Sequence, residues 1–365
     1  MKSTICLCMI VKNEAHVIAR ALRSVKPYID YWVIADTGST DNTKEIIEKE
    51  MAGVPGELLD IPFKNYGYNR SEVFKVADTK ADYMLVLDAD DEFICKGTMP
   101  QLTADSYKMN IELGEGGLCT YRQHRLFSTR LNWRYRGAVH EYPTASVPWK
   151  TDFICYLTIK SYGTGATSKD PNKYKEHARM IREDMETNPD CDIPRSTFYM
   201  GQSLFCAGEY KDAIQYFRSR TQMVGGSNND EIYYSYYQLG NIAFTLHAVD
   251  HAVANFLNAH NEDPRRAEPL YKLCLIYRTE KKYNLGYMFG QMALKCKPDN
   301  KYMFCEPHLY NVVLWDEVAL CAYYTGKMKL AEQLNKKILA THGLAEDYRK
   351  RIEKNLEFAR NGGHA

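Results

Sequence analysis

The sequence predicts an α/β domain followed by a domain built entirely of helices. Over the first half, short apolar runs typical of strands alternate with amphipathic runs typical of helices. From about residue 170 onward the chain changes to long amphipathic helices with short breaks at Gly or Pro. A length of 365 residues is sufficient for two such domains. We expect the α/β domain to span residues 1–165 and the helical domain to span residues 166–365.

The composition excludes several classes of protein. The formal net charge of +1, with 45% hydrophobic and 25% charged residues, offers no general attraction to nucleic acid or to an anionic membrane. No apolar run approaches the ~18 residues of a membrane span, and the first residues do not resemble a signal peptide. The 11 cysteines include no CxxC pair, which argues against a disulfide framework and against a zinc site. We therefore expect a soluble, cytoplasmic protein that binds no nucleic acid and has no transmembrane segment.

The first half contains three predicted strands, each followed by a polar cluster. Strands are predicted at residues 4–11, 31–35 and 83–87, and helices at residues 15–25 and 42–51. This order is typical of a largely parallel sheet, in which Cys6 and Cys8 lie on one face as small core residues. The polar clusters are residues 12–14, 36–39 and 88–91. Because open sheets of this kind bind ligands at the carboxyl ends of their strands, we expect these clusters to form one site.

The second half contains self-similar segments. Small residues recur with spacings of 39, 34 and 45 residues, and an aromatic residue follows three of them; the small residues are Ala213, Ala252, Gly286 and Ala331, and the aromatic ones are Phe217, Phe256 and Phe289. These spacings bracket the 34-residue period of helix-turn-helix repeats. Over residues 194–343 the pattern resembles tetratricopeptide repeats. Irregular helical packing without a recognition role is the alternative interpretation.

The segment WVIADTGSTDNTKEII places a carboxylate at a strand end. Asp36 ends the strand, Gly38 permits a tight turn, and residues 39–42 can cap the following helix. A carboxylate in this position can accept hydrogen bonds from a base N–H or a ribose hydroxyl. The same residues can also serve as a turn and a helix cap without any ligand.

The segment DYMLVLDADDEF brings four acidic residues to one corner of the sheet: Asp88, Asp90, Asp91 and Glu92. Their mutual repulsion is costly unless a cation or hydrogen-bond donors lie among them. Carboxylate oxygens favour Mg²⁺ or Mn²⁺, which bridge a few carboxylates to substrate phosphates. A solvated acidic turn is the alternative.

Together, the two segments resemble glycosyltransferase family 2, which has the GT-A fold, over residues 5–91. The opening CMIVKNEAHVIARAL is similar to the family's first strand and nucleotide loop. The resemblance implies that Val11, Asn13 and Glu14 line the base and ribose. It also implies that Asp36 contacts the nucleobase, Asp88 the ribose and Asp90 the metal. Thr37 departs from the pattern, because many members have a second Asp there.

Further arginines and a His-Glu pair extend the candidate site. Arg70, in NYGYNRSEVFKVA, resembles the family's ARN-type element and can brace the base or a phosphate, or it is simply an exposed arginine at a helix start. Five arginines at positions 122, 125, 130, 134 and 136 can neutralise a diphosphate, hold an anionic acceptor, or form a solvated basic hairpin. The RGAVHEY segment resembles the HE motif of repeat-bearing relatives. By that resemblance His140 is a candidate metal or diphosphate ligand and Glu141 a candidate general base, with Asp91 as the alternative base.

These features and the resemblance predict a metal-dependent glycosyltransferase that uses Mn²⁺ or Mg²⁺, and the resemblance implies inversion at the anomeric carbon. The donor is a nucleotide diphosphate sugar, with a UDP-sugar favoured, and the acceptor is a protein or glycan held by the helical repeats. A nucleotidyltransferase is the first alternative, although residues 9–15 lack the glycine-rich phosphate loop of those enzymes. The second alternative is a helical scaffold whose nucleotide-sugar domain is vestigial.

Overall fold

The computed structural model describes residues 2–114, 119–224, 230–299 and 304–362, with the side chains of residues 119 and 120 left aside. The chain divides into two compact units, Met1–Gly208 and Glu209–Ala365. The predicted change from strands to helices at residues 165/166 falls within the first unit, where the last strand ends at Ser161 and two helices follow.

The first unit combines a sheet with helices. Its strands are β1 (Ile5–Val11), β2 (Tyr31–Asp36), β3 (Gly56–Asp60), β4 (Tyr83–Val86), β5 (Asp91–Cys95), β6 (Ser106–Leu113), β7 (Cys119–Ser128), β8 (Trp133–Arg136), β9 (Tyr142–Ala145) and β10 (Thr151–Ser161). Its helices are α1 (Ile18–Val25), α2 (Thr43–Met51), α3 (Tyr66–Ala77), α4 (Lys173–Thr187) and α5 (Ile193–Cys206). The strands and helices predicted for residues 4–87 are all present, with ends shifted by up to three residues.

The main sheet is mixed, which corrects the expectation of a largely parallel one. Its strand order is β3-β2-β1-β4-β7-β6-β10-β5. The first four strands are parallel, whereas β7 runs antiparallel to both β4 and β6, and β5 runs antiparallel to β10. The predicted polar clusters follow β1, β2 and β4, which are parallel neighbours. Their carboxyl ends therefore meet at one edge of the sheet, as expected.

Strand β1 lies between two apolar cores. Its residues Ile5, Leu7, Met9 and Val11 pack with α1 and α2 on one face of the sheet. Cys6 and Cys8 face the other side, where they pack with Val73, Phe74 and Ala77 of α3. Both cysteines are buried small core residues on one face, which confirms the prediction for them. Burial of both faces explains why the strand reads as a continuous apolar run.

The second unit is helical. Its helices are α6 (Tyr210–Gln222), α7 (Asp230–Thr245), α8 (Val249–Glu262), α9 (Glu268–Thr279), α10 (Tyr283–Ala293), α11 (Val312–Tyr324), α12 (Met328–Leu339) and α13 (Glu346–Arg360). Ala213, Ala252 and Ala331 are completely buried in α6, α8 and α12. At the equivalent position of α10, a Cβ on Gly286 would lie 2.8 Å from Cys321 Sγ of α11. The repeated small residues therefore mark close contacts between helices, which confirms the predicted helical repeats.

Over the ranges that the structure describes, none of the helices is both long and apolar enough to cross a membrane.

Candidate active site

A cavity of about 840 Å³ opens within the first unit. It lies at the carboxyl ends of β1, β2 and β4 and is of the size that holds a small-molecule ligand. Of the residues predicted to form the site, those lining the cavity are Val11, Asn13, Glu14, Arg70, Asp88, Asp90, His140 and Glu141. Asp36 and Asp91 are buried and are not among the lining residues.

Hydrogen bonds join the loop after β1 to the loop after β2. Asn13 has a positive φ of 57°, and its Oδ1 accepts a hydrogen bond of 2.8 Å from the Thr40 N–H. The Asn13 N–H donates to Ser39 Oγ at 2.9 Å, and the Glu14 N–H donates to Thr43 Oγ1 at the same distance. The two loops that are predicted to hold the nucleotide therefore form one hydrogen-bonded rim.

One carboxylate oxygen of Asp36 stabilises the turn after β2, and the other oxygen is unpaired. Its Oδ1 accepts hydrogen bonds from the N–H groups of Gly38 and Ser39 at 2.9 and 2.8 Å, and Gly38 has a φ of 105°. The other oxygen, Oδ2, is buried and has no hydrogen-bond partner among the described residues. The turn interpretation is therefore correct for Oδ1. The predicted contact between Asp36 and a nucleobase remains a prediction, and Oδ2 is the atom that can make it.

Arg70 joins two carboxylates from separate parts of the chain. Its Nη2 donates to Asp88 Oδ1 at 2.5 Å, and its Nε donates to Glu141 Oε1 at 2.7 Å. The Arg70 side chain is only 12% exposed. The preceding residue, Asn69, has a structural role, because its amide bonds to the N–H of Lys64 and the carbonyl of Pro62. Arg70 is therefore a buried organiser of the site, and the alternative of an exposed arginine at a helix start is wrong.

Two neighbouring aspartates have opposite electrostatic environments. Burial opposes ionisation of Asp88, but the Arg70 and Arg125 guanidinium groups outweigh it and hold the pKa of Asp88 well below its usual range. Burial, followed by the charge of Asp88, raises the pKa of Asp91 to about 7. Asp91 Oδ1 is buried and has no partner among the described residues. Asp88 is thus a permanent anion in the cavity wall, and Asp91 a buried carboxyl behind it.

Glu14 and Asp90 converge on the segment that follows β10. Asp90 Oδ2 accepts hydrogen bonds from the N–H groups of Thr164 and Gly165 at 2.8 and 2.9 Å. Glu14 Oε1 accepts from the Ala166 N–H at 3.1 Å. A Cβ on Gly165 would lie 3.2 Å from Glu14 Oε1 and 3.4 Å from Asp90 Oδ2. Both carboxylates therefore lie against one glycine, and backbone donors offset part of their charge.

These carboxylates fit a divalent cation that takes few ligands from the protein. Over the described ranges, no three His, Cys, Asp or Glu side chains form a ready metal-binding cluster. Mg²⁺ and similar ions commonly take one or two carboxylates and complete their shell with water and substrate phosphates. Asp90 and Glu14 offer that number of carboxylates. The residues present are therefore compatible with the predicted metal.

Residues 137–141 carry His140 and Glu141 and are fixed to α3. The Tyr66 N–H donates to the Ala138 carbonyl at 3.1 Å. The His140 ring stacks on Tyr199 with centroids 4.2 Å apart, and its carbonyl accepts from Arg195. Burial, followed by the neighbouring His177, Arg195 and Lys173 side chains, lowers the pKa of His140 to about 3. His140 thus lies beside α4 and α5, and its predicted role as a metal or diphosphate ligand remains a prediction.

The five arginines of the basic segment have different environments, and the segment is not a hairpin. Strand β7 pairs with β4 and β6, whereas β8 pairs with β9. Arg125 is buried and donates to Asp88 Oδ2 at 3.1 Å inside the cavity wall. Arg122 stacks on Phe153, Arg130 pairs with Asp105, and Arg134 and Arg136 contact Asp190. Only Arg125 of these five lines the cavity.

Six aromatic side chains that line the cavity were not predicted from the sequence: Phe63, Tyr66, Tyr121, His124, Tyr135 and His177. Tyr66 is the first residue of α3, and His177 lies on α4, with their rings 6.1 Å apart. Tyr66 lies in the segment NYGYNRSEVFKVA, of which only Arg70 was predicted to belong to the site, whereas no motif surrounds His177. The one available signal is the helical spacing of Lys173, His177 and Met180, which all line the cavity from one face of α4.

Comparison with known proteins assigns the N-terminal domain. Residues 6–101 match the family model of glycosyl transferase family 2. This part of the chain is a glycosyl transferase family 2 domain. The match contains the rim formed after β1 and β2, together with Arg70, Asp88 and Asp90.

Two relatives and one solved structure are similar to this chain. A TPR repeat-containing protein of Synechococcus elongatus is 29% identical over 50% of this chain and 47% of its own length. The SPbeta prophage-derived glycosyltransferase SunS of Bacillus subtilis is 26% identical over 59% of this chain and 52% of its own length. The crystal structure of S. aureus TarS 1–349 in complex with UDP-GlcNAc has a TM-score of 0.38 and 12% identity, covering 72% of this chain and 92% of that one. The chain spans about half the length of the curated relatives it matches.

A substitution at Gly67 tests how closely α3 must approach residues 137–141. A Cβ on Gly67 would lie 2.3 Å from the Gly137 carbonyl oxygen, a backbone atom that cannot turn away. We expect Gly67→Ala to lower the melting temperature and to impair donor binding, because it pushes Glu141 away from Arg70. Thermal unfolding and nucleotide titration measure both effects. Lys75→Ala, at an exposed position of the same helix, is the control. Wild-type stability and binding of Gly67→Ala would show that this approach is not required.

The raised pKa of Asp91 predicts a pH-dependent cost to stability. An unfolded Asp has a pKa of about 3.9, whereas the pKa of folded Asp91 is about 7. Below about pH 4 the Asp91 carboxyl is protonated in both the folded and the unfolded state. As the pH rises towards about 7, the unfolded Asp ionises while folded Asp91 keeps its proton, so the wild type has its full stability below about pH 4 and loses stability over this interval. We expect Asp91→Asn to gain stability relative to the wild type across this interval, by up to about 4 kcal/mol, because each of the roughly three pKa units is worth about 1.4 kcal/mol. Denaturant unfolding in EDTA from pH 4 to 8 measures the difference. A difference that stays constant with pH would contradict the assignment.

Proposed function

We propose that this protein transfers a sugar from a nucleotide diphosphate donor to a nucleophilic acceptor, with inversion at the anomeric carbon. The observation that carries the proposal is the position of Glu14, Arg70, Asp88, Asp90 and Glu141 around one cavity. The glycosyl transferase family 2 match at residues 6–101 supports it. A UDP-sugar is the favoured donor, and a protein or glycan is the proposed acceptor.

The donor nucleotide is proposed to lie on the rim formed by the loops after β1 and β2. Asp36 Oδ2 is an unpaired acceptor at the end of β2, but it is buried, so a contact with a base N–H would require the rim to move. Asn13 is held by Ser39 and Thr40, which fixes the rim before a ligand arrives. Asp88, kept ionised by Arg70 and Arg125, can accept hydrogen bonds from ribose hydroxyls.

A divalent cation, Mn²⁺ or Mg²⁺, is proposed to be held by Asp90, where it would offset charge that develops on the leaving diphosphate. Glu14 lies on the same side of the cavity. Burial raises the pKa of Glu14 despite the opposing Ala166 N–H, and the charge of Asp90 adds to the rise. Two carboxylates that destabilise each other's charge in this way gain from a shared cation.

Glu141 is the proposed general base, in preference to Asp91. A base must reach the acceptor hydroxyl, so it must face the cavity. Glu141 lines the cavity, whereas Asp91 is only 1% exposed and is not among the lining residues. Arg70 holds Glu141 through Oε1 at 2.7 Å and thereby fixes its orientation. The fixed carboxylate can take the acceptor's proton in a direct displacement, which requires no covalent enzyme intermediate.

Substitution of Asp90 tests the metal requirement. We expect Asp90→Ala to reduce UDP-sugar turnover by at least about 100-fold, because the charge that holds the cation is lost. Asp90→Asn keeps an oxygen that can accept from the Thr164 and Gly165 N–H groups, so it should retain the wild-type melting temperature and yet be equally inactive. Asp152→Ala, at an exposed position on β10, is the control. Activity that survives EDTA, or full turnover by Asp90→Asn, would remove the metal from the proposal.

Substitution of Glu141 tests the assigned base. Glu141→Gln keeps an oxygen for Arg70 but cannot take a proton, so we expect a loss of turnover of ~10²-fold or more with unchanged nucleotide affinity. Hydrolysis of UDP-sugars measures turnover without knowledge of the acceptor, and calorimetry with UDP measures affinity. Near-normal turnover by Glu141→Gln together with an inactive Asp91→Asn would reassign the base to Asp91.

A further inference from the structure

A second group of polar side chains lines the cavity where α4 begins. Lys173 is the first residue of α4, and His177 lies one turn later. Both line the cavity, together with Tyr66 and His140. We refer to Lys173 and His177 as the α4 corner. The roles proposed above for the donor, the metal and the base do not use either residue.

His177 is buried without a hydrogen bond. Its side chain is only 6% exposed, and neither Nδ1 nor Nε2 has a partner among the described residues. Its ring has edge-on contacts with Tyr66, Tyr174 and His140 at centroid distances of 6.0 to 6.1 Å. A phenylalanine would make the same contacts without burying two unpaired nitrogens, which is unfavourable. A ligand that bonds to Nδ1 or Nε2 therefore explains a histidine at this position better than packing does.

The charge of the α4 corner is positive. Lys173 forms no ion pair with any residue that the structure describes, and its nearest aromatic contact is Tyr174. The His177 imidazole offers an N–H donor, and the lysine supplies an ammonium group. The N-terminus of α4 adds partial positive charge at the same place.

Two acidic residues of the same wall are engaged elsewhere. Asp170 Oδ1 accepts a hydrogen bond of 2.8 Å from the Asn172 N–H. Glu176 Oε2 accepts from Arg179 Nε at 2.9 Å. Neither carboxylate is paired with Lys173. A ligand that brings its own negative charge therefore finds an uncompensated cation at the α4 corner.

The α4 corner lies beside the proposed base. His140, whose ring contacts that of His177, directly precedes Glu141 in the chain. Tyr66, which also contacts His177, is close enough to Glu141 and Asp88 for their charges to raise its pKa, after the larger effect of burial. A molecule with a negatively charged group at Lys173 and His177 thus has its neighbouring atoms next to Glu141.

We propose that the α4 corner binds an anionic oxygen group, a carboxylate or a phosphate, on the acceptor and so positions the acceptor hydroxyl at Glu141. Lys173 pairs with the anion, and the His177 N–H donates to it. This inference rests on the proposed glycosyl transfer, because it assigns the substrate class of the same cavity. The sequence predicted that the helical region holds the acceptor. The proposal assigns that role to Lys173 and His177 of α4, which lie in the first unit.

Binding of two small anions to the full-length protein tests the proposal. Inorganic phosphate and acetate are titrated separately, with UDP and Mg²⁺ at saturation, and the melting temperature gives each apparent dissociation constant. The variants are His177→Phe and Lys173→Met, and Lys175→Met on the exposed side of α4 is the control.

We expect at least one anion to bind the wild type and the control. We expect both variants to weaken that binding at least about tenfold, with UDP affinity changed less than about twofold. A response to phosphate indicates a phosphorylated acceptor, and a response to acetate indicates a carboxylate.

Stability separates a binding role from a structural one. Without added anion, His177→Phe should melt at or above the wild-type temperature, because it removes two unpaired buried nitrogens. Unchanged anion affinity in both variants overturns the proposal. Competition between the anions and UDP, with weaker UDP binding in the variants, also overturns it, because the corner would then hold the donor diphosphate. If the wild type binds no UDP, the proposed function fails, whereas the anion titrations without UDP still decide the role of the α4 corner.

Discussion

The cavity depends on one buried guanidinium group. Arg70 binds Asp88, 18 residues along the chain, and Glu141, 71 residues along. Without a cation between them, two carboxylates in so buried a place would repel each other or take up protons. The planar fork of arginine supplies separate N–H groups for both, which an ammonium group on a flexible stem does not match. The interaction therefore sets the position of the proposed base relative to the parallel strands.

The parallel half of the sheet and its rim could be predicted because their signals are local. The apolar run of β1, the Asp36-Gly38 turn and the acidic cluster after β4 each act within a few residues of their own position. A buried parallel strand needs apolar residues on both faces, and a turn with φ of 105° needs glycine. Three neighbouring parallel strands then end at the same edge of the sheet, so no long-range signal is needed to predict that their polar clusters meet. This is why residues 11–14, Asp88 and Asp90 meet in the structure as predicted from the sequence.

The half of the sheet formed by β7, β6, β10 and β5, which mixes antiparallel and parallel pairs, could not be predicted in the same way, because its arrangement depends on strand pairing over long distances. Arg125 and Arg130 look alike in the sequence, yet one is buried against Asp88 and the other pairs with Asp105. Their difference comes from the pairing of β7 with β4, where Leu126 faces Leu85, three residues before Asp88. His177 is a stronger case, since its place in the cavity depends on how α4 packs. A histidine on an amphipathic helix gives no sign of this.

The hydrogen bonds of Asp90 limit how it can hold a cation. Oδ2 accepts from two backbone N–H groups, those of Thr164 and Gly165, whereas Oδ1 accepts from none of the described residues. A cation that bound Oδ2 would have to replace two charge-assisted hydrogen bonds, each stronger than a bond between neutral groups. A cation at Oδ1 leaves both in place. Binding through Oδ1 would therefore be the less costly mode, and the two N–H donors fix the carboxylate plane, so that Oδ1 would already be oriented towards a cation.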